Sequence, residues 1–589
     1  MDITSEFSSS DDDFCFEVLH DEIDRIHRSM CDKECESSDE SDDVVLGVRN
    51  RKIRVIDSDS DSDSDASQPD QSEWTPCDES TEIPPRINFV SGERPAGPRV
   101  SANVIEPLDF LKLFFTEELA DQVVSDTNRY ASRKLEGMVL SSRSIWHTWR
   151  NITKEEFWAF IAVIVNMGTM TAANLKEYWS ADATSYIPFY PNTFSRERFT
   201  QIFWMLHAEI FSAQQSQPRT RLQLITGYLE YINSKLLNYF TPGKEICVDE
   251  SVVKYKGRVS FITYNPKKPT KWGIRIYTLA DSGTGYICGI LPYYGSLTTQ
   301  SLIRPDLPVS TRIPLHLYTT LLNKVPDAQG HHMFTDRYYT SYILANELRK
   351  LKCHLTGTIL PNRKGLPDAI KNKKHLPKGK SMVAYRKDDN LVLAWKDKRI
   401  VTVFTNFYNA AMNNVKRTLR HNVETVVRKP DAVINYTKFM GGVDVADHYA
   451  STYCFMRKSL KWWRKLFFWG LEICIINSYI LYKLVKKQRN EQPLNHLQFR
   501  KILVKQLKGD FRQPRRVSTS TSNSDKIRLN GKLHVMLSGA KRDCKVCSNR
   551  NTPGGRRETS SYCDTCPQKP RMHLGQCFVN YHTKVQYRD

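Results

Sequence analysis

Apolar residues recur at helical spacing from about residue 105 to 239: Phe110, Leu111, Phe114 and Phe115, then Phe157, Phe160, Ile161, Ile164 and Val165. The spacing predicts a helical domain over 105–243, with Arg143, Trp146, Trp149, Arg196, Arg198 and Trp204 as a mixed basic and aromatic surface. After Thr241-Pro242-Gly243 the period shortens. Ile246 and Val248 lead a short strand ending at Asp249, and 273–279, the turn Asp281-Ser282-Gly283-Thr284-Gly285 and 286–291 read as a hairpin. A helix near 315–323 precedes the strand Met333-Phe334-Thr335, which ends at Asp336; a helix over 341–351 and a strand over 354–359 follow. Residues 360–425 are rich in Lys and Arg, with alternating strands at 381–386, 391–395 and 400–404. Phe439-Met440-Gly441-Gly442 opens a helix carrying Asp444 and Asp447, and 456–487 is basic, aromatic and helical. The apolar run from Phe467 to Tyr482 is interrupted by Glu472 and Asn477 and is short for a bilayer, so it predicts a buried helix and no membrane partner.

A chain of 589 residues exceeds one hydrophobic core, and these elements describe an α/β multidomain protein. Strand, hairpin, helix, strand with acids at strand ends is the order of a ribonuclease-H-like core. Here it divides into 244–359 and 426–452 around a basic β-rich insertion at 360–425, with helical segments at 105–243 and 453–535 on either side. Residues 1–104 read as a disordered acidic tail: the run from Asp57 to Asp65 alternates Asp and Ser and cannot bury enough apolar surface to offset ordering entropy. Its serines followed by acids are phosphorylation candidates. The tail either solvates the chain or competes with a polyanion for the rest of it. A polar linker at 517–525 leads to a Cys/His-rich domain at 540–589.

Charge sharpens the picture. The net charge is +20, but the first 80 residues carry 25 acidic and 7 basic side chains, a balance of −18 that leaves +38 for the remainder. A body that basic attracts phosphate backbones through long-range fields and counterion release; the competing account is a merely soluble cationic surface. The first twenty residues lack the apolar core of a secretion signal, which points to reduced cysteines inside the cell and, for a nucleic-acid binder, to the nucleus.

Two groups of residues carry chemistry. Asp249 and Asp336 each stand at the end of an apolar strand, and Asp444 and Asp447, three apart, share one helix face. Clustered carboxylates suit hard divalent cations such as Mg²⁺, and two such ions about 3.5–4 Å apart can serve an in-line phosphoryl displacement. Each Asp taken singly also fits a helix cap or loop acid. At the far end, Cys544-x-x-Cys547 and Cys563-x-x-Cys566, followed by His573, Cys577 and His582, have the spacing of tetrahedral Zn²⁺ sites. Two sites need eight ligands and these are seven; either His534 is the eighth or one site is incomplete, so one or two Zn²⁺ are expected. His331 and His332, adjacent on a strand, point to opposite faces and make a poor metal pair.

The wording around the acids resembles piggyBac-type transposases. Val248-Asp249-Glu250-Ser251, Tyr255-Lys256-Gly257-Arg258, Tyr264-Asn265-Pro266-Lys267-Lys268-Pro269 and Lys271-Trp272-Gly273-Ile274 through Tyr286 resemble the first catalytic block of that family. Thr335-Asp336-Arg337-Tyr338-Tyr339-Thr340-Ser341 looks like the second, and Lys438 through Asp447, with the Gly441-Gly442-Val443-Asp444 core, like the third. Arg457-Lys458, Trp462 and Ile476-Asn477-Ser478-Tyr479 match its downstream helices. The resemblance runs from about residue 105 to the C-terminus. It implies a ribonuclease-H-like fold with Asp249, Asp336 and Asp444 as catalytic metal-binding triad and Asp447 as a fourth required acid, using two Mg²⁺ per site. It further implies nicking at transposon ends, a DNA hairpin, joining at TTAA, dimerisation on DNA through the flanking helical segments, and a C-terminal cross-brace zinc domain that recognises the ends. Arg337 follows the second Asp where some relatives carry Asn.

The basic surroundings fit double-stranded DNA. Arg258, Lys267, Lys268 and Lys271 lie close to Asp249 in sequence and could hold phosphates. Arg457, Lys461, Arg464 and Lys465 interleave with Trp462 and Trp463, and an indole stacks on unpaired bases at about 1–3 kcal/mol. The resemblance puts Trp462 near unpaired flank bases and leaves Trp463 to the core; the competing account is an amphipathic helix with its tryptophans turned inward. Two other functions compete with an active transposase: a transposase-derived DNA-binding or chromatin protein without catalysis, and a zinc-dependent adaptor. The second leaves the middle 400 residues unexplained.

Overall fold

A computed structural model describes residues 74–82, 85–209, 221–266, 270–371, 376, 381–418, 424–456, 459, 461–512, 527–550, 552–584 and 586–588. The expected tail over 1–73, the linker 517–525, and Lys267, Lys268 and Arg457 lie outside the described residues.

Strands β1 (Thr75–Cys77), β2 (Glu245–Lys254), β3 (Trp272–Asp281), β4 (Ile287–Pro292), β5 (His332–Thr335), β6 (His354–Thr358), β7 (Met382–Lys387), β8 (Asn390–Lys396) and β9 (Ile400–Thr405) form one mixed sheet with the short edge pair Thr263–Tyr264. The spatial order is β1-β7-β8-β9-β6-β5-β2-β3, with β4 and Thr263–Tyr264 also on β3. β5 runs parallel to both β2 and β6, and the remaining pairs in this sheet are antiparallel. The first strand is longer than its apolar pattern predicts: β2 continues past Asp249 to Lys254, because β3 pairs with it to the end. Asp281 closes the β3–β4 hairpin, its Oδ1 accepting from Thr284 N–H and O–H at 2.9 and 2.7 Å. That is Asx-turn chemistry.

Helices α1 (Pro107–Lys112), α2 (Glu117–Leu135), α3 (Lys154–Thr169), α4 (Arg196–Met205), α5 (Thr226–Leu236), α6 (Val309–Lys324), α7 (Tyr342–Lys350), α8 (Asp431–Phe439), α9 (Gly442–Thr452), α10 (Trp462–Gln488) and α11 (His496–Lys508) surround the sheet. Five of them start at a side-chain cap. Thr116, Thr153, Ser195, Ser341 and Asn495 each accept the backbone N–H three residues on, satisfying a donor the helix leaves orphaned. α10 is long and apolar enough to cross a membrane, yet 89% of its apolar window is buried inside the protein. Gly470 explains part of that fit: a Cβ there would stand 2.8 Å from the Tyr228 ring of α5. One continuous apolar core runs from Val104 to Leu507, so the helices before and after the sheet pack together as one body with it.

Two expectations change. The basic insertion is no separate unit, because β9 pairs with β6 and carries β7 and β8 into the main sheet; the separate part is the hairpin of β10 (Met412–Thr418) and β11 (Glu424–Pro430). Disorder was expected up to 104, but the described residues from Trp74 onward form a strap that starts as the edge strand β1 and reaches His354 of β6. Trp74 Nε1 donates to Gly365 O at 2.8 Å, Glu79 pairs with Arg428 at 2.7 Å, and Ile87 N–H donates to His354 Nε2 at 2.9 Å. Composition hid this, because the strap's contacts are backbone and ion-pair contacts made by a segment with few apolar residues. The C-terminal module pairs β12 (Met536–Asp543) with β13 (Glu558–Cys563) and ends in α12 (Gln576–Thr583).

Candidate functional site

The parallel register puts two of the predicted acids side by side. Val248 of β2, Thr335 of β5 and Gly357 of β6 are level with one another. The next residues in each strand direction are Asp249, Asp336 and Thr358, a row across three neighbouring strands about 4.8 Å apart. Alternation puts Cys247, Asp249 and Ser251 on one face of β2, and α9 lies along that face. At one end Gly442 sits against Cys247, where a Cβ would meet the Sγ at 2.7 Å. At the other, Ser251 Oγ donates to Asp447 Oδ1 at 2.7 Å. Asp444, in the first turn of α9, lies between these two anchor points.

Tyr436 of α8 lies near these acids. Its phenol is pushed up by burial first; a bond to Thr358 at 3.2 Å opposes that, and the negative charges of Asp336, Asp249 and Asp444 add to it. Acids from β2, the end of β5 and α9 thus act on one hydroxyl. Asp336 Oδ1 also accepts Tyr338 N–H at 2.9 Å, and Asp249 Oδ1 accepts Glu250 N–H at 2.8 Å. Asp249 and Asp336 are half-buried and Asp444 is exposed. An all-oxygen, partly solvated donor set fits a hard divalent cation. The four acids do not form one of the tight ligand groups, with atoms within 4.8 Å, found among the described residues.

The opposite face of β2 is structural. Glu250 is buried, accepts Tyr339 O–H at 3.2 Å, and faces Arg275 of β3, whose guanidinium burial lowers, while Glu250 and the phenols of Tyr277, Tyr339 and Tyr338 together raise it above its ordinary value. Sequence reasoning missed Ser251, Thr358 and Tyr436. Ser251 was findable two residues after Asp249 on a strand, whereas Tyr436 stands eight residues before Asp444 on a different helix and carried no spacing signal.

The basic candidates divide. Arg258 and Lys271 are exposed near the β2–β3 end, together with Lys254 and Lys256. Lys461 sits over the Tyr130 ring at 5.5 Å. Trp462, Arg464 and Lys465, in contrast, are turned inward. Trp462 packs edge-on against Phe261 at 5.1 Å, and Arg464, 1% exposed, donates to Trp204 O and lies over the Phe203, Trp204 and Trp463 rings. Burial pulls Arg464 down to about 10 and Lys465 to about 8. An exposed stripe of bases and indoles is therefore not what this helix presents. Its first turn is core, as the inward-packing account requires.

The C-terminal residues resolve into two four-ligand groups, each with all ligand atoms within 4.8 Å: His534, Cys563, Cys566 and His582; and Cys544, Cys547, His573 and Cys577. His534 completes the first group of four. The groups interleave along the chain, one pair of ligands of the second falling between successive parts of the first, which is a cross-brace. His573 Nδ1 faces Cys547 Sγ at 3.4 Å while its Nε2 meets Glu558 O at 3.2 Å. His582 Nε2 faces Cys566 Sγ at 3.5 Å while its Nδ1 meets Phe578 O at 2.9 Å. Carbonyls on the far ring nitrogens fix the tautomers that a metal needs. Burial raises the Cys544 thiol, but backbone N–H groups of Cys547, Val546 and His573 outweigh it and hold it at about 7. The sets fit Zn²⁺. Beside them a groove of about 620 Å³ is lined by Lys541, Arg542, Lys545, Arg550, Arg556 and Arg571 among others.

Comparison with known proteins places this geometry. The family model described as Transposase IS4 matches residues 106–479. Human PiggyBac transposable element-derived protein 3 is 24% identical over 512 residues, 85% of this chain and 80% of its own length. Human PiggyBac transposable element-derived protein 2 is 22% identical over 475 residues, covering 78% and 73%. A solved piggyBac transposase synaptic complex with hairpin DNA matches with a TM-score of 0.61 and 23% identity, over 71% of this chain and 83% of that one. At that identity the likeness establishes the fold.

Proposed function

The chain belongs to the Transposase IS4 family as a piggyBac-type member, and we propose that it is a cut-and-paste DNA transposase that nicks transposon ends, forms a hairpin and joins the ends at TTAA. The observation that carries this reading is the parallel register that sets Asp249 and Asp336 in neighbouring strands, with α9, which bears Asp444, held against the same face by the Ser251–Asp447 bond. The strand order supports a ribonuclease-H-like core: β2, β3 and β4 form the antiparallel meander and β5 and β6 the two parallel strands.

Asp249, Asp336 and Asp444 would hold Mg²⁺, two ions per site, and Asp447 steadies α9 through Ser251. Bound there, the ions supply Lewis acidity at the scissile phosphate and a more nucleophilic attacking oxygen. The chain's own part is placement. β2 and β5 fix two carboxylates in neighbouring strands, and α9 brings the third down onto them. Lys254, Lys256, Arg258 and Lys271, exposed at the same end of the sheet, supply the backbone contacts that set the duplex in register.

The zinc module's basic groove serves recognition of transposon-end DNA, and the working unit is a homodimer in the nucleus with its helical parts at the interface. The decisive experiment incubates purified protein and Mg²⁺ with the ends that flank its own gene. Nicking followed by hairpin formation, lost in Asp249→Ala while DNA binding persists, supports the reading. DNA binding without nicking in the unaltered chain would instead assign it to the transposase-derived binding proteins that lack catalysis.

A further inference from the structure

We propose that Arg550, in the basic groove of the C-terminal module, reads a guanine edge in the major groove of duplex DNA, and that Asp543 is the positioning residue that holds it for this. This rests on the DNA-recognition reading of that groove and adds which side chain reads sequence and what aims it.

Three observations meet here. The first is contact. Asp543, at the end of β12, takes one guanidinium on each carboxylate oxygen: Arg550 Nε donates to Oδ2 at 2.5 Å, and Arg556 Nε donates to Oδ1 at 2.9 Å. Glu558, level with Asp543 on β13, accepts Arg556 Nη2 at 2.5 Å. The second is access. All four residues line the groove, and the Arg550 and Arg556 side chains are 72% and 60% exposed. The third is anchoring. The loop that carries both arginines is tied at its base to Cys544, whose N–H donates to Arg557 O at 2.8 Å. Arg557 N–H in turn donates to Ser548 Oγ at 3.0 Å, and Asn549 N–H to Gly555 O at 2.9 Å.

Charge decides what such an arrangement recognises. Two guanidiniums and two carboxylates sum to zero, so the cluster adds little to the pull on phosphates, and a carboxylate beside a phosphate repels it. The phosphate pull comes from neighbours such as Lys541 and Lys545. What Asp543 supplies is direction. An exposed arginine otherwise samples many rotamers; held through Nε, it presents its two terminal nitrogens as a fixed fork, with less freedom to lose on binding. That fork matches the O6 and N7 acceptors of guanine, the commonest specific contact in the major groove. Arg556 spends one terminal nitrogen on Glu558 and keeps only the other. Arg550 is therefore the reader, and Arg556 completes the neutral cluster.

The test uses the full zinc-loaded chain to select duplexes from a randomised library, then measures affinity for the selected duplex, its single-base variants and a non-selected duplex. Arg550→Lys keeps the charge and loses the fork. It is expected to erase the guanine preference at one position and to weaken the selected duplex about 10-fold, with non-selected binding and zinc content unchanged. Asp543→Asn removes one negative charge at the same volume. It is expected to lower that preference about 5-fold while the non-selected duplex binds more tightly, two opposite signs that a general loss of structure cannot produce. An equal effect on both duplexes in either variant marks a phosphate or structural role and overturns the proposal, as does an unchanged guanine preference in both variants. Lys541→Glu combined with Lys545→Glu separates the two levels: weakened binding to all duplexes alike upholds the groove as a DNA surface. Normal binding by that double variant would end the groove reading and this proposal with it.

Discussion

Ser251 of β2 and Asp447 of α9 are joined by a 2.7 Å hydrogen bond 196 residues apart in sequence. The bond clamps the helix that carries Asp444 onto the strand that carries Asp249. A neutral donor to a carboxylate is worth roughly 1.5–3 kcal/mol, and here much of that goes into holding one helix in place. Ser251→Ala is therefore expected to slow nicking about 10-fold while lowering global stability by no more than about 1–2 kcal/mol. Single-turnover nicking and urea unfolding of the same preparation check it; an unchanged nicking rate would remove Asp447 from the clamp.

Gly442 sets the other end of the clamp. A methyl group there would lie 2.7 Å from Cys247 Sγ and 3.1 Å from Asp281 O, so Gly442→Ala pushes the start of α9 off the sheet and Asp444 with it. Overpacking of this kind typically costs about 1–3 kcal/mol. The expected outcome is a loss of nicking of about 100-fold or more with DNA binding kept. Shaving the neighbour should help: Cys247→Ala in the Gly442→Ala background restores part of the activity, because the sulfur is the closer of the two obstacles. Nicking rates of the single and double variants read this directly.

How much of this was readable beforehand follows from where the information sits. Strands at 333–335 and 354–359 and the turn at 281–285 were legible because each is a local pattern, and they appear as β5, β6 and the Asp281 turn. The acids were picked out through motif wording, and the parallel register sets Asp249 and Asp336 in neighbouring strands. Three things were not legible. The clamp partner Ser251 matters only through register and a helix docking that sequence spacing does not encode. The strap from Trp74 to Val90 is held by contacts to residues about 270 to 350 positions away, so composition read it as tail. The inward turn of Arg464 runs against the ordinary preference of arginine for solvent, and the aromatic cage of Phe203, Trp204 and Trp463 with the acceptor Trp204 O accounts for it.

The interleaved order of the two Cys/His groups should make metal binding to the C-terminal module cooperative. The purified chain is expected to carry two Zn²⁺, measured by elemental analysis. His534→Ala removes a ligand that lies outside every Cys-x-x-Cys pair, yet it should cost more than one ion, because His534, Cys563, Cys566 and His582 bracket the second group in sequence. Chelation should unfold residues 528–588 alone, since metal binding and folding are coupled in such modules. Far-ultraviolet circular dichroism and protease mapping before and after chelator follow it. A content of one Zn²⁺ in the unaltered chain would contradict the eight-ligand assignment.

The strap should be acid-labile. His331 and His354 are held at about 4 by burial, and His332 is lowered further, so all three are neutral in the fold. His354 must be neutral to accept Ile87 N–H. In the unfolded chain a histidine titrates near 6.5. Its folded value is depressed, so the stability is fully present above about 6.5 and is lost as pH falls toward 4, because only the unfolded state takes up protons in that window. Thermal unfolding should therefore be flat from pH 8 to 7 and fall below 6.5. Proteolysis after Arg86 should rise over the same range, and His354→Gln should make that rise shallower.

Salt dependence separates the basic residues that meet DNA from those that hold the fold. Each phosphate contact contributes about −0.9 to the slope of log affinity against log salt on duplex DNA. Arg258→Ala and Lys271→Ala, both exposed at the acidic end of the sheet, should each reduce that slope by about 1 and weaken binding evenly across sequences. Arg464→Met acts on another level. It removes a buried guanidinium whose donor goes to Trp204 O and whose face is covered by three aromatic rings. A side chain with no path to solvent cannot release a counterion. The slope should stay as it is, while stability changes by a few kcal/mol in either direction, as buried charges replaced by apolar groups do. Binding isotherms from 50 to about 300 mM salt, read beside denaturant unfolding, distinguish the two classes; a reduced slope in Arg464→Met would mean that α10 opens its first turn to the duplex on binding.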